Sequence, residues 1–261
     1  ALCLKSGNAV MLKGGSEAHR TNEILSKVIL KAITDLDERF SSAVQLLSTR
    51  EEINRLLALD QHVDLIIPRG SNQLVRFIKE HTKIPVLGHA DGICHTYVDG
   101  SADLDIAARV CFDAKVQYPA VCNAMETLLV HKDVAGEFLP VIARSYQDAG
   151  VEMRGDARSR RIVPDMVSAR KSDYGKEFLD LIVAVKVVDS LEEAVDHINR
   201  YGSLHTDSIV TADDTAAAKF LRYVQSACVF SNLSTRFSDG GEFGLGAEMG
   251  ISTDKLHARG P

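Results

Sequence analysis

One cysteine in this chain stands where nucleophilic chemistry could be done. It lies in Tyr118-Pro-Ala-Val-Cys122-Asn-Ala-Met-Glu-Thr-Leu-Leu-Val-His-Lys-Asp133, a small-residue turn just before an apolar run that reads as a strand. A thiol attacks as its thiolate, and turn N–H groups pointed at the sulfur would lower its pKa. The competing reading is a small packing residue, because free cysteine is among the most buried residue types. Two strand-to-helix turns, Lys13-Gly14-Gly15-Ser16-Glu17 and Pro68-Arg69-Gly70-Ser71, offer backbone N–H groups and a positive helix end to an anion. Neither matches G-x-G-x-x-G, and glycines that only permit tight turns explain both equally well.

Other polar clusters are less specific. His89, Asp91 and His95 are close in sequence, but their spacing fits no common ligand set, and no metal site is expected. The segment Ala194-Val-Asp-His197-Ile-Asn-Arg-Tyr-Gly-Ser203-Leu-His205-Thr-Asp207 joins a helix to a strand, and capping alone could account for its polarity. After the strand-like Ala227-Cys-Val-Phe230 comes Asn232-Leu-Ser-Thr235-Arg236-Phe-Ser238-Asp-Gly-Gly-Glu-Phe-Gly244-Leu-Gly246. Its hydroxyls, glycines and single arginine suit recognition of a carboxylate or phosphate, which arginine grips bidentately.

These residues must be positioned by a fold, and 261 residues at 45% hydrophobic content can fill one large core or two ordinary ones. A net charge of −6 gives no general reason to expect nucleic acid or an anionic membrane as partner. No apolar stretch is long enough to span a bilayer. Five scattered cysteines without a C-x-x-C pair point to a reducing compartment. The opening Ala1-Leu-Cys-Leu-Lys-Ser-Gly-Asn reads as the middle of a helix–turn–strand unit, as in a piece of a longer protein.

Short β-branched or leucine-rich runs alternate with amphipathic stretches, as in βα units around a mostly parallel sheet. Strands are expected at 8–13, 41–47, 63–67 and 84–87. Between them fall a helix with Leu25, Val28, Ile29 and Ala32 on one face, a helix opened by a Thr49–Glu52 capping box, and a helix over 72–79. A second series has strands at 93–98, 181–188 and 207–211, with helices bearing Leu191, Ala194, Val195 and Ile198, then Ala217, Phe220, Leu221 and Val224. The turn Gly88-His-Ala-Asp-Gly92 separates the two series.

Taken together, the Tyr118–Thr127 segment, Ala194–Ile209, Asn232–Gly240 with Phe243–Glu248, and the closing Leu256-His-Ala-Arg-Gly-Pro261 resemble the γ-glutamyl phosphate reductases. These form the proline-biosynthesis branch of the aldehyde dehydrogenase superfamily, occurring alone or as the C-terminal half of a bifunctional pyrroline-5-carboxylate synthase. The resemblance implies an α/β, aldehyde dehydrogenase-like fold truncated at both ends, with a Rossmann-like NADP-binding lobe over 1–92 and a catalytic lobe over 93–261. It makes Cys122 the nucleophile, and the developing oxyanion calls for a donor that backbone N–H near Cys122, or more weakly the Asn123 side chain, could supply. It places Lys13, Gly14, Gly15, Ser16, Arg69, Gly70, Ser71 and Glu177 at the cofactor. Thr235, Arg236, Ser238 and His205 are left to clasp the substrate, L-glutamate 5-phosphate. Ser16 stands where NAD-preferring relatives carry an acid, which favours NADPH, although Glu17 adjoins it. The stretch Ile84-Pro-Val-Leu87 lacks the glutamate with which hydrolytic relatives activate water. A homo-oligomer, a glutamate 5-kinase as partner or fused domain, and a cytoplasmic location, or a mitochondrial one for a eukaryotic synthase, are implied as well. Two other readings stay open: an acylating dehydrogenase using coenzyme A or another acyl phosphate, and a silent scaffold of the same fold.

Overall fold

The computed structural model describes residues 1–89 and 91–254; the resemblance at Leu256–Pro261 lies outside the described residues. The chain divides into two compact units, one of residues 1–66 with 77–86, the other of residues 67–76 with the chain from Leu87 onward. This differs from a single division at residue 92. The Pro68–Ser71 turn and the start of the following helix group with the later residues because Asn72 and Arg76 both donate to Asp91.

The first unit contains α1 (Leu2–Lys5), β1 (Val10–Lys13), α2 (His19–Leu36), β2 (Val44–Leu47) and α3 (Arg50–Leu56). The two strands are parallel, with Val10 opposite Val44 and Lys13 opposite Leu47, so β1, α2 and β2 form a crossover unit. The capping box forms as read: Thr49 Oγ1 accepts the Glu52 N–H at 3.1 Å, and Glu52 Oε2 accepts the Thr49 N–H at 2.8 Å. The strands expected at 63–67 and 84–87 shrink to one parallel bridge, Ile66 to Val86. Pro68 and Pro85 bring no N–H to a ladder, which keeps the pairing short. Leu25, Val28 and Ile29 do share a face of α2, but they remain exposed.

Helix α4 (Asn72–His81) leads into the second series: β3 (Cys94–Val98), α5 (Leu104–Val116), β4 (Met125–His131), α6 (Lys132–Asp148), β5 (Glu152–Gly155), α7 (Ala157–Ile162), β6 (Val167–Ser168), β7 (Ile182–Val188), α8 (Leu191–Tyr201), β8 (Thr206–Val210), α9 (Asp214–Tyr223) and β9 (Cys228–Ser231). The strands form one parallel sheet in the order β6-β5-β7-β4-β3-β8-β9. Alternate residues feed opposite faces, as the two-residue strand period demands. Val98, Leu128 and Val130 join Phe138, Leu139 and Ile142 of α6 in one core. Tyr97, Leu129 and Ile209 join Ile198 of α8 and Phe220 of α9 in the other. Each of these side chains contributes about 1.5–3 kcal/mol by leaving water. The sheet is therefore a stiff support for the turns at its strand ends.

Candidate active site

Four of those turns gather at the amino ends of the central strands: Gly92-Ile93 before β3, Cys122–Ala124 before β4, Leu179–Leu181 before β7 and Gly202–His205 before β8. The nucleophile candidate is held there by its main chain. A Cβ on Gly92 would lie 2.2 Å from the Cys122 carbonyl oxygen and 2.6 Å from its Cα, so only glycine permits this approach. The Gly92 N–H donates to Glu177 Oε1 at 3.0 Å, and the Cys94 thiol donates to the Cys122 carbonyl at 3.3 Å. Two leucines in these turns, Leu179 at φ 56° and Leu204 at φ 64°, adopt the left-handed conformation that a bulky residue rarely takes. Leu179 is held by its N–H bond to Glu126 Oε1 at 3.2 Å, and Glu126 Oε2 in turn accepts from Lys115 Nζ at 2.9 Å in a fully buried pair. Burial raises the Glu126 carboxyl to about 7, against the pull of Lys115.

Cys122 is half-buried and opens on a cavity of about 200 Å³ that lies within the second unit and is lined by Arg69, Gly70, Asn72, His89, Glu177 and Ile251 among others. Its thiol is pushed up to about 11, first by burial and next by the Asp239 carboxylate; Arg69 opposes the rise and Glu177 adds to it. This corrects the expectation that the turn makes a thiolate. The hydrogen bond from its own backbone lowers the pKa least of these influences, and the resting sulfur carries its proton.

Three of the side chains expected to clasp substrate do something else. Arg236 is buried, donates through Nε to Gln117 Oε1 at 2.6 Å and through Nη1 to Asn123 Oδ1, and pairs with Asp239 at 2.9 Å. Thr235 Oγ1 donates to the Asn123 carbonyl at 2.6 Å, and Ser238 Oγ accepts from Asn123 Nδ2 at 2.9 Å. The second Nδ2 proton reaches the Arg236 carbonyl at 3.4 Å. Both Asn123 amide protons thus have partners within the protein, one of them a long contact, and Thr235, Arg236 and Ser238 fix the residue beside the nucleophile.

The cofactor candidates fall in two places. Lys13, Gly14, Gly15 and Ser16 line a crevice of about 340 Å³ in the first unit, with His19, Asn22 and Leu46–Ser48, at the carboxyl ends of β1 and β2. That is where doubly wound sheets bind ligands. Ser71 caps α4, accepting the Leu74 N–H at 3.3 Å. Arg69, Gly70 and Glu177 lie instead at the Cys122 cavity. His89, Asp91 and His95 separate: His89 Nδ1 meets the Ile251 carbonyl at 2.8 Å, Asp91 holds Asn72 and Arg76, and His95 pairs with Asp207 at 2.9 Å. His205 is fully buried, its ring edge-on to that of His89 at 4.4 Å. The convergence of His89, Gly92 and Arg69 on Cys122 left no local signal, because the segments that meet are far apart in sequence.

The profile of the aldehyde dehydrogenase family matches residues 1–173. The chain belongs to the aldehyde dehydrogenase family. The chain is 58% identical over 262 residues to the γ-glutamyl phosphate reductase of Natronomonas pharaonis, an alignment covering 100% of this chain and 59% of that relative. The crystal structure of γ-glutamyl phosphate reductase from Thermotoga maritima superposes with a TM-score of 0.94 at 45% identity, covering 100% of this chain and 63% of that one. Glyceraldehyde-3-phosphate dehydrogenase from Methanocaldococcus jannaschii, solved with NADP, shares the fold at a TM-score of 0.67 and 16% identity, over 88% of this chain and 59% of that one. The chain thus spans about three fifths of the length of the relatives it matches. No described helix is long and apolar enough to cross a membrane.

Proposed function

We propose that this chain carries the catalytic cysteine of an NADPH-dependent γ-glutamyl phosphate reductase, which converts L-glutamate 5-phosphate to L-glutamate 5-semialdehyde and phosphate. The observation that supports it most is Cys122 opening on a cavity that also holds the Arg69 guanidinium. In this reading the sulfur attacks the acyl carbon, the C–S bond forms, and the bond to the phosphate oxygen breaks, leaving a thioester on Cys122. Arg69 balances the charge of the departing phosphate. The Ile251 carbonyl can only accept, so His89 Nδ1 carries its ring proton and Nε2 keeps a lone pair that can take the thiol proton. Glu177, the carboxylate lining the cavity, has one oxygen committed to the Gly92 N–H. With no carboxylate in Ile84–Leu87 either, the site favours passing the thioester to a hydride over hydrolysing it.

NADPH, when bound, supplies that hydride. The crevice at β1 and β2 offers a phosphorylated ribose the Lys13 ammonium and the Ser16 hydroxyl, against the Glu17 carboxylate folded over the neighbouring Gly15. The test is phosphate-dependent reduction of NADP+ by glutamate semialdehyde, in equilibrium with pyrroline-5-carboxylate, run beside Cys122→Ala. Phosphate-dependent turnover lost in the variant supports the reading. Equal rates in both proteins would end the nucleophile assignment, and a reaction that needs coenzyme A in place of phosphate would move the chain to the acylating dehydrogenases.

A further inference from the structure

His89, Cys122 and His205 each bring one ligand atom to within 4.8 Å of the others. Among the described residues they are the group so placed. Both rings are held from outside. His89 Nδ1–H donates to the Ile251 carbonyl at 2.8 Å, which leaves Nε2 with a free lone pair. His205 Nδ1 lies 2.9 Å from Thr206 Oγ1, while its Nε2 is fully buried and has no hydrogen-bond partner. A buried ring nitrogen without a partner is costly, and a ligand there removes the cost. One imidazole nitrogen fixed by an oxygen and the other left open beside a thiol is how metal-binding histidines are presented.

We infer that His89, Cys122 and His205 form a Zn²⁺ site that caps the nucleophile. Thiol and imidazole are the donors this borderline-soft ion prefers, and three protein ligands leave a fourth position for water. In a tetrahedral site with ordinary Zn–S and Zn–N lengths the ligand atoms sit roughly 3.4–3.6 Å apart, so these three close in by about an ångström. Cys122 and His89 are only partly buried and have room to do so. Binding breaks the S–H bond, forms S–Zn and releases one proton to solvent. Metal binding needs only this geometry. Its consequence, a sulfur unable to attack an acyl phosphate, rests on the reductase reading.

Co²⁺ reports such a site directly. The reduced, intact chain should take up one Co²⁺ with a sulfur-to-cobalt charge-transfer band and the intense visible bands of a tetrahedral ion, and Zn²⁺ should displace it. Cys122→Ser should lose the charge-transfer band, and His89→Gln should weaken Co²⁺ binding at least tenfold. Cys94→Ala removes the other thiol nearby, 3.8 Å from His205 Nδ1, and should change neither. Thermal melts of each variant show that it is folded. The site is refuted by wild-type protein that binds no stoichiometric Co²⁺, by a charge-transfer band that survives Cys122→Ser or vanishes in Cys94→Ala, or by unchanged affinity in folded His89→Gln. Metal binding lost while phosphate-dependent turnover persists sinks the zinc site alone. Stoichiometric metal binding together with no phosphate-dependent turnover in the metal-stripped protein sinks the reductase reading alone.

Discussion

Iodoacetamide should alkylate Cys122 in the ligand-free protein far more slowly at pH 8 than it alkylates a free cysteine. A thiol raised to about 11 is neutral below that pH and ionised above it, so reactivity is gained as pH rises. At pH 8 such a thiol is ionised in roughly one molecule in a thousand, against about one in four for an unperturbed cysteine of pKa near 8.5, a deficit of about 240-fold. The more basic thiolate is intrinsically more nucleophilic, and a Brønsted coefficient of about 0.4–0.5 returns about 10- to 18-fold. The net expectation is about twentyfold slower modification, with the rate climbing nearly tenfold per pH unit from 8 to 10. Peptide-level mass spectrometry separates Cys122 from the other four cysteines. Asp239→Asn removes a charge that raises the thiol, so its profile should move to lower pH; Arg69→Gln removes the charge that opposes the rise and should move it higher. A wild-type midpoint at or below 8.5, or both variants moving the same way, would refute this electrostatic account.

Gly92→Ala puts a methyl 2.2 Å from the Cys122 carbonyl oxygen, and the turn must shift to admit it. Displacing a nucleophile by an ångström costs on the order of a hundredfold in rate, so kcat should fall by about that factor, and because the overlap is with main-chain atoms the melting temperature should fall too; unchanged kcat would show that the close approach is dispensable. Lys115→Met leaves Glu126 buried without its cation and should cost about 3–5 kcal/mol by urea denaturation. Most of that should return in Lys115→Met with Glu126→Gln, which keeps an oxygen for the Leu179 N–H; a single variant as stable as wild type would contradict the pairing argument. Ser16→Glu places an acid in the β1–β2 crevice and should turn a preference for NADPH in kcat/KM toward NADH by more than tenfold. A ratio left as in wild type would remove Ser16 from the cofactor.

What could be read from the sequence was whatever is written locally. The Thr49–Glu52 box is four residues long, and the apolar run of 181–188 is complete within one strand. The turn before β4 likewise announces itself through Cys122 and its small neighbours. The strands expected at 63–67 and 84–87 had the right apolar residues, but the prolines beside them hold the ladder to one bridge. Arg236, Thr235 and Ser238 look ligand-ready because hydroxyls and guanidinium are what ligands need. They are also what a buried asparagine needs, and Asn123 stands more than a hundred residues away. Nor could the pKa of Cys122 be read from its turn, since it is set by burial and by charges at 69, 177 and 239.

The grip on Asn123 has a consequence for how the protein is made. A chain emerging from the ribosome presents Cys122 early, while Arg236, Thr235 and Ser238, which seat its neighbour, follow after more than a hundred further residues. At about 5–20 residues per second, the thiol exists for seconds before its surroundings do. During that interval it has neither the burial nor the carboxylates that later hold its proton in place, and it is a more acidic and more readily oxidised cysteine than in the finished fold. Synthesis through Asp239, just beyond β9, therefore acts as a safety catch, bringing the sulfur to its protonated resting state only when the residues that seat its neighbour are there.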